Sequence, residues 1–177
     1  MDGFSNDLHA NDLIQDKIPA RGGAAYRDLR ACIAACIEEA RGVKEGRDIL
    51  EGYAAVMDEV LILHEATTAQ LMKNDRDSSG DDSSKDMSEL LAHSNEYLTF
   101  TGHLVVGWMW LKQGIIANRM LSSNAEALSD SDRNFYLGKI AALDYFCNIE
   151  LQKVKSMADI LRINPQVGNL HDISWHN

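Results

Sequence analysis

Apolar and small residues recur in steps of three and four through most of the chain, longest between Ser88 and about Met120. There Leu90, Leu91, Ser94, Tyr97, Leu98, Thr101, Leu104, Val105, Trp108, Leu111, Ile115 and Ile116 share one face of a helix of roughly eight turns. Around Val105 to Leu111 the apolar character spreads to the flanks, the pattern of a rod enclosed on most sides. Gly102, Gly107 and Gly114 interrupt it, and each costs about 1 kcal/mol against alanine inside a helix. Their presence implies close approach of a neighbouring backbone, or room for a bulky ring.

Three further rods follow from the same periodicity. The first runs from after Arg21-Gly22-Gly23 to about Arg41, with Ala25, Leu29, Ile33, Cys36, Ile37 and Ala40 inward and Gly42 as its stop. The second covers about Lys44 to Met72 and carries Ile49, Tyr53, Val56, Met57, Val60, Leu61, His64, Thr67 and Leu71. A Ser-, Asp- and Gly-rich run from Lys73 to Asp86 has nothing to bury and reads as a surface loop. The fourth rod runs from about Ser131 to Leu161, with Ser129 to Asp132 as its capping signal. Its expected inner face is Phe135, Leu137, Ile140, Ala141, Tyr145, Phe146, Ile149, Val154, Met157 and Leu161.

No alternating strand pattern occurs, and the two prolines, Pro19 and Pro165, lie outside the periodic region. The expectation is an all-α chain: an up-down-up-down four-helix bundle over residues 22–162. Irregular tails at 1–21 and 163–177 flank it, with Trp175 able to fold back onto the body.

A formal charge of −10 with no basic stripe disfavours nucleic acid and anionic membranes. The stretch from Tyr97 to Ala117 is apolar enough to suggest a membrane span, but its glycines and polar residues keep bundle register and no basic cluster flanks it. No apolar leader opens the chain. The three cysteines, Cys32, Cys36 and Cys147, form no framework and fit a reducing cytoplasm.

Candidate chemistry is sparse. A di-metal bundle needs inward carboxylates and Glu-x-x-His pairs on two helices. The nearest set here is Glu89, His93 and Glu96, beside the apolar seam and without a counterpart, so it reads as a solvated flank and no metal ligand is assigned. His103 reads as a hydrogen-bonded interior histidine, and Arg21-Gly22-Gly23 as a helix entry. Trp108 and Trp110 point to different faces, one ring into the core and the other towards a neighbour or partner.

Tyr97 to Gln113, YLTFTGHLVVGWMWLKQ, resembles the extra C-terminal helical domain of the larger bacterial acyl-CoA dehydrogenases, the methylthiopropanoyl-CoA dehydrogenase group included. Phe135 to Phe146, FYLGKIAALDYF, is similar to that domain's following helix. Asp12 to Gly23, DLIQDKIPARGG, is similar to the segment that joins it to the flavin-binding body. The likeness covers about residues 8–160. In full-length members the catalytic base is a glutamate in a Tyr-Glu-Gly-Thr motif just upstream of the joining segment. The corresponding residues here, Met1 to Asn6, lack it, and Asp2 matches the position only loosely.

The resemblance therefore implies a free-standing appendage with no catalytic residue, no cofactor-binding residue and no metal site of its own. FAD would be held only by a partner chain. The implied role is a non-catalytic interaction domain that self-associates or docks on a dehydrogenase-type body, with Trp110, Tyr136 and Tyr145 as candidate interface residues. The alternatives are one subunit of a split flavin-dependent dehydrogenase oxidising an acyl-CoA at its α,β carbons, and a bundle binding a metal or small ligand.

Overall fold

The computed structural model describes residues 9–43, 47–77, 93–123 and 127–162. They form five helices: α1 (Ala20–Arg41), α2 (Arg47–Asp77), α3 (Ser94–Ser123), α4 (Asp130–Tyr145) and α5 (Lys153–Arg162). No strand occurs among the described residues, as the all-α expectation requires.

α2 and α3 run antiparallel. His64 meets Thr101 and Thr68 meets Tyr97, while Met57 and Leu50 lie against Gly107 and Gly114. α1 and α2 are antiparallel too, tied by Arg41 to Asp58 at one end and Tyr26 to Thr68 at the other. α3 touches every other helix. Its buried stripe is Tyr97, Phe100, Thr101, Leu104, Gly107, Leu111, Gly114 and Ile115.

The glycines sort by what lies beside them. A Cβ on Gly107 would sit 2.7 Å from the Met57 sulfur, and one on Gly114 would sit 2.3 Å from Leu143 Cδ2. These two admit bulky aliphatic side chains rather than rings. A Cβ on Gly102 meets nothing within 4 Å.

The structure departs from the expectations in several places. α3 is not enclosed on most sides: Val106, Met109 and Ile116 form an outward apolar strip, Ile116 54% exposed. A rod in a layer of few helices keeps a solvent side, however apolar its sequence. The tail expected before residue 22 is in part helical. A π-helical turn spans Leu13–Lys17, and Ala10, Ile14 and Ile18, spaced four apart, are buried.

Third, Arg21, Gly22 and Gly23 do not simply open a helix. All three are left-handed, with φ of 52°, 64° and 79°, and Arg27 Nη1 donates to the Gly22 carbonyl at 2.5 Å. The regular part of α1 starts after them. α2 also continues to Asp77, past the loop boundary expected at Lys73. The rest of that loop, the start of the third rod at 88–92 and the tail 163–177 with Trp175 lie outside the described residues.

Fourth, the last rod is broken. After α4 comes a π-helical turn, Phe146–Glu150, then a turn into α5. Leu151 N–H donates five residues back to the Phe146 carbonyl, and the Gln152 side chain donates to the Cys147 carbonyl at 3.2 Å, satisfying an acceptor freed by the break. Of the expected stripe Val154 and Leu161 are buried and Ile140, Phe146 and Met157 half-buried, and Leu143, Cys147, Leu151 and Ala158, which lay outside it, complete the inner face. Phe135, Leu137, Ala141, Tyr145 and Ile149 are exposed. α4 packs chiefly on α3, whereas α5 packs on both α2 and α3. The apolar arc of α4 is wider than the one helix it leans on, so periodicity could not say which part lies inside.

Candidate interaction surface

The buried polar side chains around His64 are committed to one another. His64 is fully buried, and its hydrogen bonds can be assigned donor by donor. Thr101 Oγ1 donates to the Tyr97 carbonyl at 2.8 Å, so it accepts from His64 Nε2 at 2.9 Å. With the proton on Nε2, Nδ1 accepts from the Tyr26 hydroxyl at 3.1 Å. Thr68 Oγ1 donates to the His64 carbonyl at 2.7 Å and accepts from the Tyr97 hydroxyl at 2.7 Å. These hydroxyl and ring protons all have an acceptor, which is what a buried network needs to hold helices in one register.

Burial, with the Arg30 charge adding, lowers the His64 pKa to about 4, so the ring is neutral. Burial likewise pushes the Tyr97 and Tyr26 phenols up. The Cys147 thiol is pushed up to about 12 by burial and then by Asp144, leaving an inert core thiol. Tyr26 and Thr68 also floor a cavity of about 350 Å³ beside the left-handed turn, with Glu65 and Arg27 at its walls. Glu65 is already paired with Arg30.

The set read as a solvated flank is only partly within the described residues. Glu89 lies outside the described residues, and His93 and Glu96 sit half-buried at the start of α3. Among the described residues no group of three His, Cys, Asp or Glu side chains is placed to hold a metal. His103 is half-buried rather than interior. Its Nδ1 donates to the Thr99 carbonyl at 2.8 Å, and its Nε2 faces Glu150 at 3.9 Å.

The exposed apolar side chains make the more distinctive feature. Trp108 and Trp110 are both half-buried, so neither ring fills the core alone; Lys112 lies over one at 5.3 Å and Lys139 over the other at 5.4 Å. Lys139 also covers Phe135, whose ring meets Tyr136 edge-on. Trp110 and Tyr136 therefore belong to one cluster at the α3–α4 seam. Tyr145 stands apart at the end of α4, 55% exposed, its hydroxyl bonded to Glu150. Missing from the sequence-derived set were Phe135, Leu137, Val106, Met109 and Ile116, which are among the large apolar side chains that face out. The signal for them was present in α4: a glycine, Gly138, amid an apolar arc too broad for one neighbour.

The family model described as Acetyl-CoA dehydrogenase C-terminal like matches residues 27–166. The chain belongs to this family. The matched span holds the Tyr97 to Gln113 and Phe135 to Phe146 stretches that carried the resemblance, but not the joining-like segment at 12–23. No curated protein matches the chain. The described residues of this acyl-CoA dehydrogenase C-terminal-like domain form helices and no strand, and no helix among them is long and apolar enough to cross a membrane.

Proposed function

We propose that this domain is a non-catalytic interaction module that docks on a flavin-bearing acyl-CoA dehydrogenase body, or on further copies of itself, in the cytoplasm. The observation that carries the reading is the outward apolar side of α3, Val106, Met109 and Ile116, on a domain whose buried His64 network is closed upon itself. Large apolar side chains grouped on the outer side of one helix favour an interaction surface. FAD, in this reading, is held by the partner body, and the domain contributes packing rather than a reacting group.

The test mixes the purified chain with a dehydrogenase body from which the corresponding domain has been removed. Calorimetry should register binding, and Met109→Asp should weaken it at least tenfold. The chain alone should not reduce an electron acceptor with acyl-CoA. Absence of binding, or binding indifferent to Met109→Asp, overturns the proposal.

A further inference from the structure

We infer that the cavity between the left-handed turn and α2 is a binding site for a small apolar carboxylate that carries a hydroxyl or ammonium donor, a molecule the size of an amino or hydroxy acid. The inference goes beyond the docking reading and does not depend on it. The cavity holds about 350 Å³. Ligand cavities run from about 300 to 1,000 Å³, so this one suits a small molecule. Ile18, Pro19 and Met72 give it an apolar wall. Its polar groups divide into acceptors on the floor and a cation at the side.

The floor presents lone pairs. The Tyr26 proton is spent on His64 Nδ1, the Tyr97 proton on Thr68 Oγ1, and the Thr68 proton on the His64 carbonyl. The Tyr26 oxygen can still accept. Glu65 gives one carboxylate oxygen to Arg30 and has acceptor capacity left. A ligand must therefore bring a donor of its own, a hydroxyl or an ammonium.

The charge of the lining asks for an anion. Arg27 and Glu65 are its charged residues. Arg30 offsets Glu65, whereas Arg27 meets a carbonyl, that of Gly22, through Nη1 at 2.5 Å. The guanidinium keeps its charge and further N–H groups, enough to take a carboxylate. The left-handed turn holds it there by aiming the Gly22 carbonyl at Nη1. Arg21, a non-glycine residue at φ 52°, shares that turn, and backbone of this kind gathers at binding sites. With its carboxylate on Arg27 and its donor towards Tyr26 and Glu65, the ligand lays its carbon chain on the apolar wall.

Probes that carry the same branched chain test this: 2-hydroxy-4-methylpentanoate, L-leucine, 4-methylpentanoate and 3-methylbutylamine, each titrated to about 10 mM against the amide spectrum of the nitrogen-15-labelled chain. The hydroxy acid, leucine or both should bind with a dissociation constant on the order of 1 mM, as suits about nine non-hydrogen atoms. The shifts should centre on the amides of Gly22, Gly23 and Ala69. The tighter of the two identifies the donor as hydroxyl or ammonium. 4-Methylpentanoate, without the donor, and 3-methylbutylamine, without the carboxylate, should each bind at least about fivefold more weakly. Arg27→Gln should weaken binding about tenfold. Ala69→Phe, which fills the mouth from an exposed position of α2, should abolish it, while Lys112→Gln on α3 should bind like the parent. Arg27 and Ala69 are both exposed, and either variant, shown folded by circular dichroism, suffices for the comparison. No shift with the hydroxy acid or leucine, shifts confined to other residues, equal binding of a truncated probe, or binding unchanged in the variants overturns the inference. Docking on a dehydrogenase body, read by calorimetry, fails or succeeds independently of all of these.

Discussion

His64 ties three helices together while neutral, and that gives its protonation a definite consequence. Its folded pKa is lowered to about 4 by burial and by Arg30, whereas an unfolded histidine titrates near 6.5. Between these values the unfolded chain binds the proton and the folded chain does not, so stability falls as pH drops from 6.5 towards 4. The loss attributable to this residue should approach ~3 kcal/mol, at 1.36 kcal/mol per pKa unit. Carboxylates add their own slopes at the lower end, so the readout is a difference. Urea unfolding of the parent and of His64→Gln, compared across pH 7 to 4, should show the variant less stable at neutral pH and the gap closing as the solution is acidified. A constant gap would mean the ring is not held neutral. None of this was visible in the sequence beyond His64's place on an apolar face. The network depends on Thr68, Tyr97 and Thr101 arriving from two helices in one register, which is a property of the packing.

At the scale of single helices, the glycines of α3 give opposite expectations for the same change. Gly102→Ala adds a methyl into open space and should stabilise the domain by about 0.5–1 kcal/mol through helix propensity. Gly114→Ala sets that methyl 2.3 Å from the fully buried Leu143, and should destabilise by about 1–3 kcal/mol, as overpacking does. Urea midpoints of the two variants should fall on either side of the parent. The sequence showed that three glycines in one rod called for an explanation, yet could not say which of them touched a neighbour. α4 makes the same point in reverse. Its start was legible, because Ser129 caps it as expected: the hydroxyl accepts from Asp132 N–H at 3.1 Å and donates to that carboxylate at 2.7 Å. Its inner face was not legible, because apolar residues surround most of the helix and the break at Phe146–Glu150 carries no Pro or Gly to announce it. With one helix to lean on and Leu143 as its buried anchor, α4 should depend on the cap. Ser129→Ala should cost about 1 kcal/mol. Hydrogen exchange should quicken in the first turn of α4 well before it does in α2.

Over the whole molecule, the charge of −10 separates two ways in which the domain could hold a dehydrogenase body. If the outward side chains of α3, Val106, Met109 and Ile116, provide the attraction, burial of apolar surface drives the docking and salt does not weaken it. If acidic side chains set against a basic patch on the body were the main contact, salt would loosen the complex. Exposed ion pairs contribute about 0–1 kcal/mol, and the Debye length shrinks from about 10 Å at 0.1 M salt to about 3 Å at 1 M. Calorimetry of the docking at about 0.1 M and about 1 M salt should therefore give affinities within about twofold of each other, with Met109→Asp weaker than the parent at both. A loss of about tenfold at high salt would put the attraction in the charges rather than in the outward side chains of α3.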